Sequence, residues 1–338
     1  MPIDIIVGGQ AGDEGKGKIA AYLAKSNKYS AVIRTSSPQA GHTLEYKGKR
    51  IGLATIPCGF VYSRAKVIIG RGAFISIKRL EQELENTGLE NSRRLSIDHY
   101  ATIITQEHLD EELQNRHLMK KIGSVGTGSG PARKDKIMRN PNLIFAKDIP
   151  ELEPYLKDTV VEINHLLSLG KKISLEGDQG FKLSLIHGEY PFVTSRDVTA
   201  SSFLGEIGVG PKEVQDVYLV FKPYVTRVDG RPIKGEITDK EKLEWCKNKG
   251  HEVGTVSGRV RKIGEFDWEN AKRAIKVNGA TKLCFTHMDY FMEKGSKELG
   301  DEASEFIEQV RKKLCLTYPS PEISLLSYGP KIGDVLKY

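Results

Sequence analysis

Cysteine is scarce and scattered. Cys58, Cys246, Cys284 and Cys315 form no Cys-x-x-Cys pair, which argues against a zinc site or a disulfide framework and predicts reduced structural thiols. No apolar run approaches the roughly 20 residues that span a bilayer. Met-Pro-Ile-Asp leads straight into a strand-like segment, with no basic-then-apolar leader, so the expectation is a cytoplasmic protein without membrane contact. There is no internal repeat and no low-complexity tract. Hydrolase signatures are also missing: His251-Glu252 has no second histidine three residues on, and no Gly-x-Ser-x-Gly occurs.

What is present is an ordinary globular composition, 39% hydrophobic and 28% charged over 338 residues. That length fits two domains, or one large α/β domain with insertions. The formal charge is +7, and it is uneven. Residues 1–150 hold 23 Lys+Arg against 15 Asp+Glu, whereas residues 151–338 hold 28 against 29. A basic first part predicts an anionic partner, without choosing among nucleic acid, membrane surface and phosphorylated metabolites.

Short β-branched or apolar runs recur at Ile3–Val7, Ala31–Arg34, Lys66–Ile69, Lys172–Leu175, Val217–Phe221, Thr281–Phe285 and Ile323–Leu326. They read as strands buried on both faces. Helical period marks Gly17–Ala24, Ile77–Leu84, His108–Lys121, Leu152–Leu169 and Asn270–Val277. The alternation predicts an open, mostly parallel α/β sheet flanked by helices, with ligands beyond the carboxyl ends of its strands. The Glu81/Glu83/Glu85/Glu90 cluster and the Asp110–Glu112 run read as solvated helix faces.

Ile3–Val7 runs into Gly8-Gly9-Gln10-Ala11-Gly12-Asp13-Glu14-Gly15-Lys16-Gly17-Lys18. A strand, a Gly-rich turn and a helix aim backbone N–H groups at an anion, and lysine adds charge. The spacing departs from the common phosphate loop, because five residues separate Gly9 from Gly15 and Gly17 follows Lys16. Asp13 would repel an anion there unless a metal or a proton transfer requires it. Gln39-Ala40-Gly41-His42-Thr43 puts a histidine among small residues, suited to acid–base work but equally to a structural role. Gly123–Pro131 is a second glycine-rich loop, followed by Arg133, Lys134, Lys136 and Arg139; a flexible surface loop is its bland alternative. It has no aromatic for base stacking, which weakens a nucleic-acid groove. Glu176–Gly180 and Tyr190–Ser195 are polar clusters at strand ends. In Gly254–Lys262, Arg259 and Arg261 alternate, which in an extended segment directs both to one side. Thr286-His287-Met288-Asp289 ends a strand with a carboxylate able to accept from the ring N–H and amino group of guanine, or to cap a helix.

The order of these motifs resembles the adenylosuccinate synthetase family, from Gln10–Lys18 to Ser327-Tyr328-Gly329-Pro330. The resemblance implies one domain over residues 1–338, with a phosphate loop like that of P-loop NTPases and small loop or β insertions. It implies GTP-dependent ligation of IMP and L-aspartate, through a 6-phosphoryl intermediate, to adenylosuccinate, GDP and phosphate. In that scheme Asp13 and His42 are catalytic. One Mg²⁺ per subunit is held by Asp13 and the Gly41 carbonyl. GTP meets Gly12, Asp13, Glu14, Gly15, Lys16, Gly17, Lys18, Gly41, His42, Thr43, Arg261, His287, Met288, Asp289, Ser327, Tyr328 and Gly329. IMP meets Asp13, Glu14, Gly15, Lys16, Gln39, Ala40, Gly41, His42, Val125, Gln179, Thr194 and Arg259, with Arg139 arriving from the second subunit of a homodimer. Thr255, Val256, Ser257, Gly258, Arg259, Val260 and Arg261 close over aspartate.

Two positions depart from the family pattern. Val125 stands where threonine is usual, leaving Ser124 or backbone N–H groups to meet the IMP phosphate. His287 replaces a lysine beside the guanine-reading aspartate. The chain is also shorter than typical bacterial and eukaryotic members, mainly between Arg139 and Gln179 and between Asp289 and Ser327. The competing readings are another nucleotide-dependent ligase or kinase, and a nucleic-acid-binding protein drawn by the basic first part.

Overall fold

Alternation along the first strand sets up the whole fold: Ile3, Ile5 and Val7 enter one hydrophobic cluster and Ile6 the other. The structure, a computed structural model, describes residues 2–227, 233–241, 243–244, 261–291, 300–316 and 318–338. In chain order its strands are β1 (Ile3–Gly8), β2 (Ala31–Arg34), β3 (His42–Tyr46), β4 (Lys49–Leu53), β5 (Lys66–Ile69), β6 (Phe74–Ile75), β7 (Leu95–Asp98), β8 (Thr102–Ile103), β9 (Leu156–Lys157), β10 (Ile173–Glu176), β11 (Val214–Phe221), β12 (Val225–Arg227), β13 (Lys262–Gly264), β14 (Lys282–Phe285), β15 (Glu322–Ser327) and β16 (Val335–Lys337). The α-helices among the described residues are α1 (Lys16–Ser26), α2 (Ile77–Thr87), α3 (Gln106–Gln114), α4 (Ser129–Met138), α5 (Thr159–Ser168), α6 (Ala200–Glu206), α7 (Trp268–Asn278) and α8 (Asp301–Val310).

Ten strands form one sheet in the order β16-β15-β14-β11-β1-β10-β2-β5-β7-β9. Every neighbouring pair is parallel except β15–β16. Side chains of α5, α6, α7 and α8 fill the cluster on one face; those of α1 and α2 fill the other. The result is a single α/β domain. The chain builds outward from β2 to β9, returns to insert β10 beside β1, and then builds the other way from β11. The carboxyl ends of β1, β2, β10, β11 and β14 therefore open on one crevice at the point where the winding reverses. Smaller pairs, the β3–β4 hairpin and antiparallel β12–β13, lie outside the main sheet.

The helix expected over Leu152–Leu169 is not continuous. Pro154 lies in a short 3₁₀ turn, Pro150–Tyr155, β9 follows at the sheet edge, and Asp158 caps α5 by accepting from Val161 N at 3.1 Å. A proline has no N–H to give and an N-cap aspartate starts a helix anew, so local chemistry overrides the period. His108–Lys121 likewise divides into α3 and a separate wide turn, His117–Ile122.

Two acidic runs expected to be solvated each hide one buried carboxylate. Glu83 accepts from the backbone N–H of Ala54 (2.6 Å), Thr55 (3.0 Å) and Ile56 (2.9 Å), and so ties α2 to the segment after β4. These three N–H groups are themselves buried. Glu83→Ala strands them; at roughly 1–3 kcal/mol for an unsatisfied buried group, shared among three that can partly rearrange, the loss should be about 3 kcal/mol in denaturant melts. Glu83→Gln should not restore it, because both carboxylate oxygens accept and an amide would turn a donor on donors. Glu112, the other, accepts from Ser124 Oγ and from Gly128 N, fastening the second glycine-rich loop.

Candidate active site

The loop after β1 is shaped from within by Glu14. Its fully buried carboxylate accepts from Gln10 N (2.8 Å) and Gly12 N (3.0 Å) and pairs with Lys16 Nζ at 2.7 Å. Gly15 takes φ 75° at the start of α1, a conformation that favours glycine. Gly180 is required for a different reason: a Cβ there would lie 2.3 Å from Glu14 Oε1. The loop thus supplies its own internal anion, and two of its N–H groups are already taken.

Asp13 projects from this loop. Its Oδ2 accepts from Thr226 Oγ1 and pairs with Arg261 Nε at 2.9 Å and Lys222 Nζ at 3.3 Å, whereas its buried Oδ1 has no hydrogen-bond partner. Burial by itself would raise its pKa, but the Lys222 and Arg261 cations outweigh it and hold the carboxyl well below the usual range. Lys222, fully buried, is a site residue that the sequence motifs did not reveal. Its backbone N–H and C=O are paired with the Gln10 side-chain amide at 3.1 and 2.9 Å.

His42 begins β3. Its Nδ1 lies 2.6 Å from Glu176 Oε1, and Glu176 Oε2 accepts from Cys58 N at 2.7 Å. With Nδ1–H donating to the carboxylate, the neutral ring carries a lone pair on Nε2, which is buried and without a partner. Burial foremost, then the nearby Arg34 cation, push its pKa down to about 4 against the pull of Glu176. The resting ring is neutral near pH 7. Glu176, at the end of β10, is the orienting group; only its position at a strand end marked it in the sequence.

Asp13 and His42 share one cleft of about 930 Å³, lined also by Gly12, Gly15, Lys16, Gly17, Lys18, Gln39, Ala40, Gly41, Thr43, Val125, Gln179, Thr194, Arg261, His287, Asp289, Ser327 and Gly329, with Glu176 and Lys222 behind them. That volume is at the upper end of small-molecule sites. The glycine-rich loop over 123–130 is part of this wall rather than a free surface loop.

Other expected contacts lie elsewhere. Met288 is fully buried in the core cluster beside β14, and Glu14 sits inside its loop; neither lines the cleft. Tyr328 turns its carbonyl to Lys18, whose Nζ donates to the backbone oxygens of Tyr328 (2.7 Å), Gly329 (2.8 Å) and Asp334 (3.0 Å). All three ammonium protons are thereby committed, and Lys18 fastens the β15–β16 turn at the wall of the cleft. Arg139 is exposed at the end of α4 and does not line the cleft. Ser124 commits its hydroxyl to Glu112 and its N–H to Leu118 O, so it offers no replacement for the hydroxyl missing at Val125. Lys262 pairs with Glu236 at 3.3 Å at the start of β13, away from the cleft. Thr255, Val256, Ser257, Gly258, Arg259 and Val260 lie outside the described residues.

A phosphate-type loop at the switch point of a parallel sheet, with a carboxylate and an imidazole in the same cleft, defines a nucleotide-dependent α/β enzyme. Comparison with known proteins narrows that class. The sequence profile of the adenylosuccinate synthetase family matches residues 5–149 and 145–299. Adenylosuccinate synthetases of Archaeoglobus fulgidus and Methanosphaera stadtmanae are 41% and 38% identical, each covering 99% of this chain and 98% of their own length. The fully ligated adenylosuccinate synthetase of Plasmodium falciparum has the same fold, with a TM-score of 0.87 at 23% identity over 100% of both chains. A cyanophage S-2L succinoaminodeoxyadenylate synthetase, bound to dGMP and dATP as an energy donor, aligns with a TM-score of 0.80 at 25% identity over 99% of this chain and 95% of its own. The chain belongs to the adenylosuccinate synthetase family.

Proposed function

We propose that the cleft joins IMP to L-aspartate at the expense of GTP. The observation that carries this reading is the convergence of Asp13, His42, the phosphate loop and Asp289 on one cleft. Asp13 takes the N1 proton of IMP, and O6 attacks the γ-phosphorus of GTP, releasing GDP and leaving 6-phosphoryl-IMP. His42, charged once polyphosphate is beside it, donates from Nε2 toward the transferring group. The amine of aspartate then displaces phosphate at C6. Arg261, now on Asp13, is placed to turn to an anionic substrate, and Asp289 reads guanine.

Mg²⁺ suits the donors present: Asp13 Oδ1 is a buried, partnerless hard oxygen, and Gly41 lines the same cleft. Asp13 and the Gly41 carbonyl would hold the ion, which would supply charge neutralisation to the GTP phosphates. The exposed Arg139, preceded by Ile137 and Met138 at 73% and 71% exposure, fits delivery into the cleft of a second copy. The buried free thiols Cys58 and Cys284 fit a reducing compartment such as the cytoplasm. Among the described residues no helix is long and apolar enough to cross a membrane.

The test is purified protein with Mg²⁺, GTP, IMP and aspartate, monitored for adenylosuccinate. No product from folded protein that binds GTP overturns the reading, and equal activity with ATP removes Asp289 from its role. Lys18→Met should raise KM for GTP about tenfold with KM for IMP little changed, because the guanine-side turn loses three charge-assisted hydrogen bonds. Burial lowers the Lys18 pKa from 10.5 to about 8. A neutral amine has only two protons for three carbonyls, so KM for GTP should climb as pH rises through that value in the wild type and stay flatter in the variant.

A further inference from the structure

The wall of the cleft that carries Gln39, Ser129, Gln179 and Thr194 is assembled from four segments far apart in sequence. Close to each in sequence, and buried, stands a member of one cluster of ion pairs and hydrogen bonds. Ser36 and Ser37 precede Gln39, Arg133 lies one helical turn after Ser129, Asp178 precedes Gln179, and Arg196 follows Thr194 by two residues.

The contacts run from segment to segment. Asp178 Oδ2 accepts from Ser36 Oγ at 3.1 Å and meets Arg196 Nη1 at 3.5 Å. Arg196 donates to Thr35 O at 2.6 Å, pairs with Glu206, and lies over the Phe203 ring at 4.6 Å. Arg133 donates to Ser37 Oγ at 3.2 Å and covers the Phe74 ring at 4.1 Å. Burial opposes ionisation of Asp178, but Arg196, Arg34 and Arg133 overcome it and lower its pKa. Asp178 Oδ1, Arg133 Nε and Arg196 Nε are buried with no partner. As a source of stability such a cluster is poor, since well-packed apolar side chains would serve as well or better. What it supplies is fixed separation among four segments beyond the last ladder pair, Arg34–Glu176, that joins two of them.

We infer that this cluster, centred on Asp178, is the positioning network for the nucleoside-monophosphate half of the cleft. It rests on the functional reading above, and it assigns Asp178, Arg133 and Arg196 a role in IMP affinity that is separate from the GTP half. Gln179 is held at φ 57°, a left-handed conformation unusual for a glutamine, immediately after Asp178. Anchoring Asp178 from two segments is what keeps that side chain presented.

The experiment is titration calorimetry of IMP and, separately, GTP on the full chain, for wild type, Asp178→Asn and Ser36→Ala, with melting temperatures recorded. Asp178→Asn should weaken IMP by about tenfold or more, Ser36→Ala by about threefold, and both should leave GTP within about twofold. A folded Asp178→Asn that binds IMP like the wild type, or that loses IMP and GTP equally, overturns the inference. Where Asp178→Asn does not fold, Ser36→Ala, which deletes one hydrogen bond and no charge, decides alone by the same criterion. A folded wild type that binds GTP but no IMP overturns the functional reading itself, and this inference with it.

Discussion

Asp13→Asn should cut turnover by about 10³- to 10⁴-fold, the upper range for loss of a general base, without unfolding the protein. The amide keeps the size of the carboxylate and can still accept from Thr226, but it cannot take the N1 proton of IMP. Asparagine is preferred to alanine because Lys222 is fully buried 3.3 Å away, and removing the side chain outright exposes that cation to a cavity as well. The resting site favours ionised Asp13, since two cations and a hydroxyl converge on one of its oxygens. The wild type therefore starts with its base unprotonated at neutral pH. Steady-state kinetics beside thermal melts check the expectation. Residual turnover within tenfold of wild type, at an unchanged melting temperature, would remove Asp13 from the role of base.

The sheet was legible because its strands are buried on both faces and so read as unbroken apolar runs: β2 and β5 have the very limits expected from Ala31–Arg34 and Lys66–Ile69. β3–β4, with its exposed Lys49 and Arg50, has no such run and leaves no strand signal in the sequence. α4 was hidden by glycine and proline in its first turn, a composition that reads as loop. The strand, glycine-rich turn and helix over Ile3–Ser26 were legible because their spacing is tied to backbone geometry, as the left-handed Gly15 at the start of α1 shows. The site was illegible where partners meet only through the tertiary fold. Nothing local distinguishes Glu83 from its exposed neighbours Glu81 and Glu85, or assigns Lys18 to three carbonyls more than 300 residues away in sequence. The basic surplus of the first part is partly absorbed in the same hidden way, since Lys16, Lys18, Arg34 and Arg133 are all buried on internal partners.

Glu176→Gln should be the second large loss, on the order of 10³ in kcat with KM for GTP and IMP little changed. Glu176 does two things for His42. It accepts from Nδ1, which fixes the tautomer and turns Nε2 into the cleft, and its charge favours the imidazolium that must form before Nε2 can donate. A glutamine can keep the first contact through its oxygen, or reverse it by donating to Nδ1; it cannot supply the charge. Because His42 lies at about 4 in the resting cleft even with Glu176 present, loss of the carboxylate drives protonation still farther from neutral pH. The substrates are bound by other groups, so the effect should fall on kcat. A purely structural role for Glu176 would behave differently: the variant would melt early, and both KM values would rise with the fall in kcat. A Glu176→Gln protein with wild-type kcat would show that His42 acts without an orienting carboxylate, and would leave the 2.6 Å contact without a catalytic purpose.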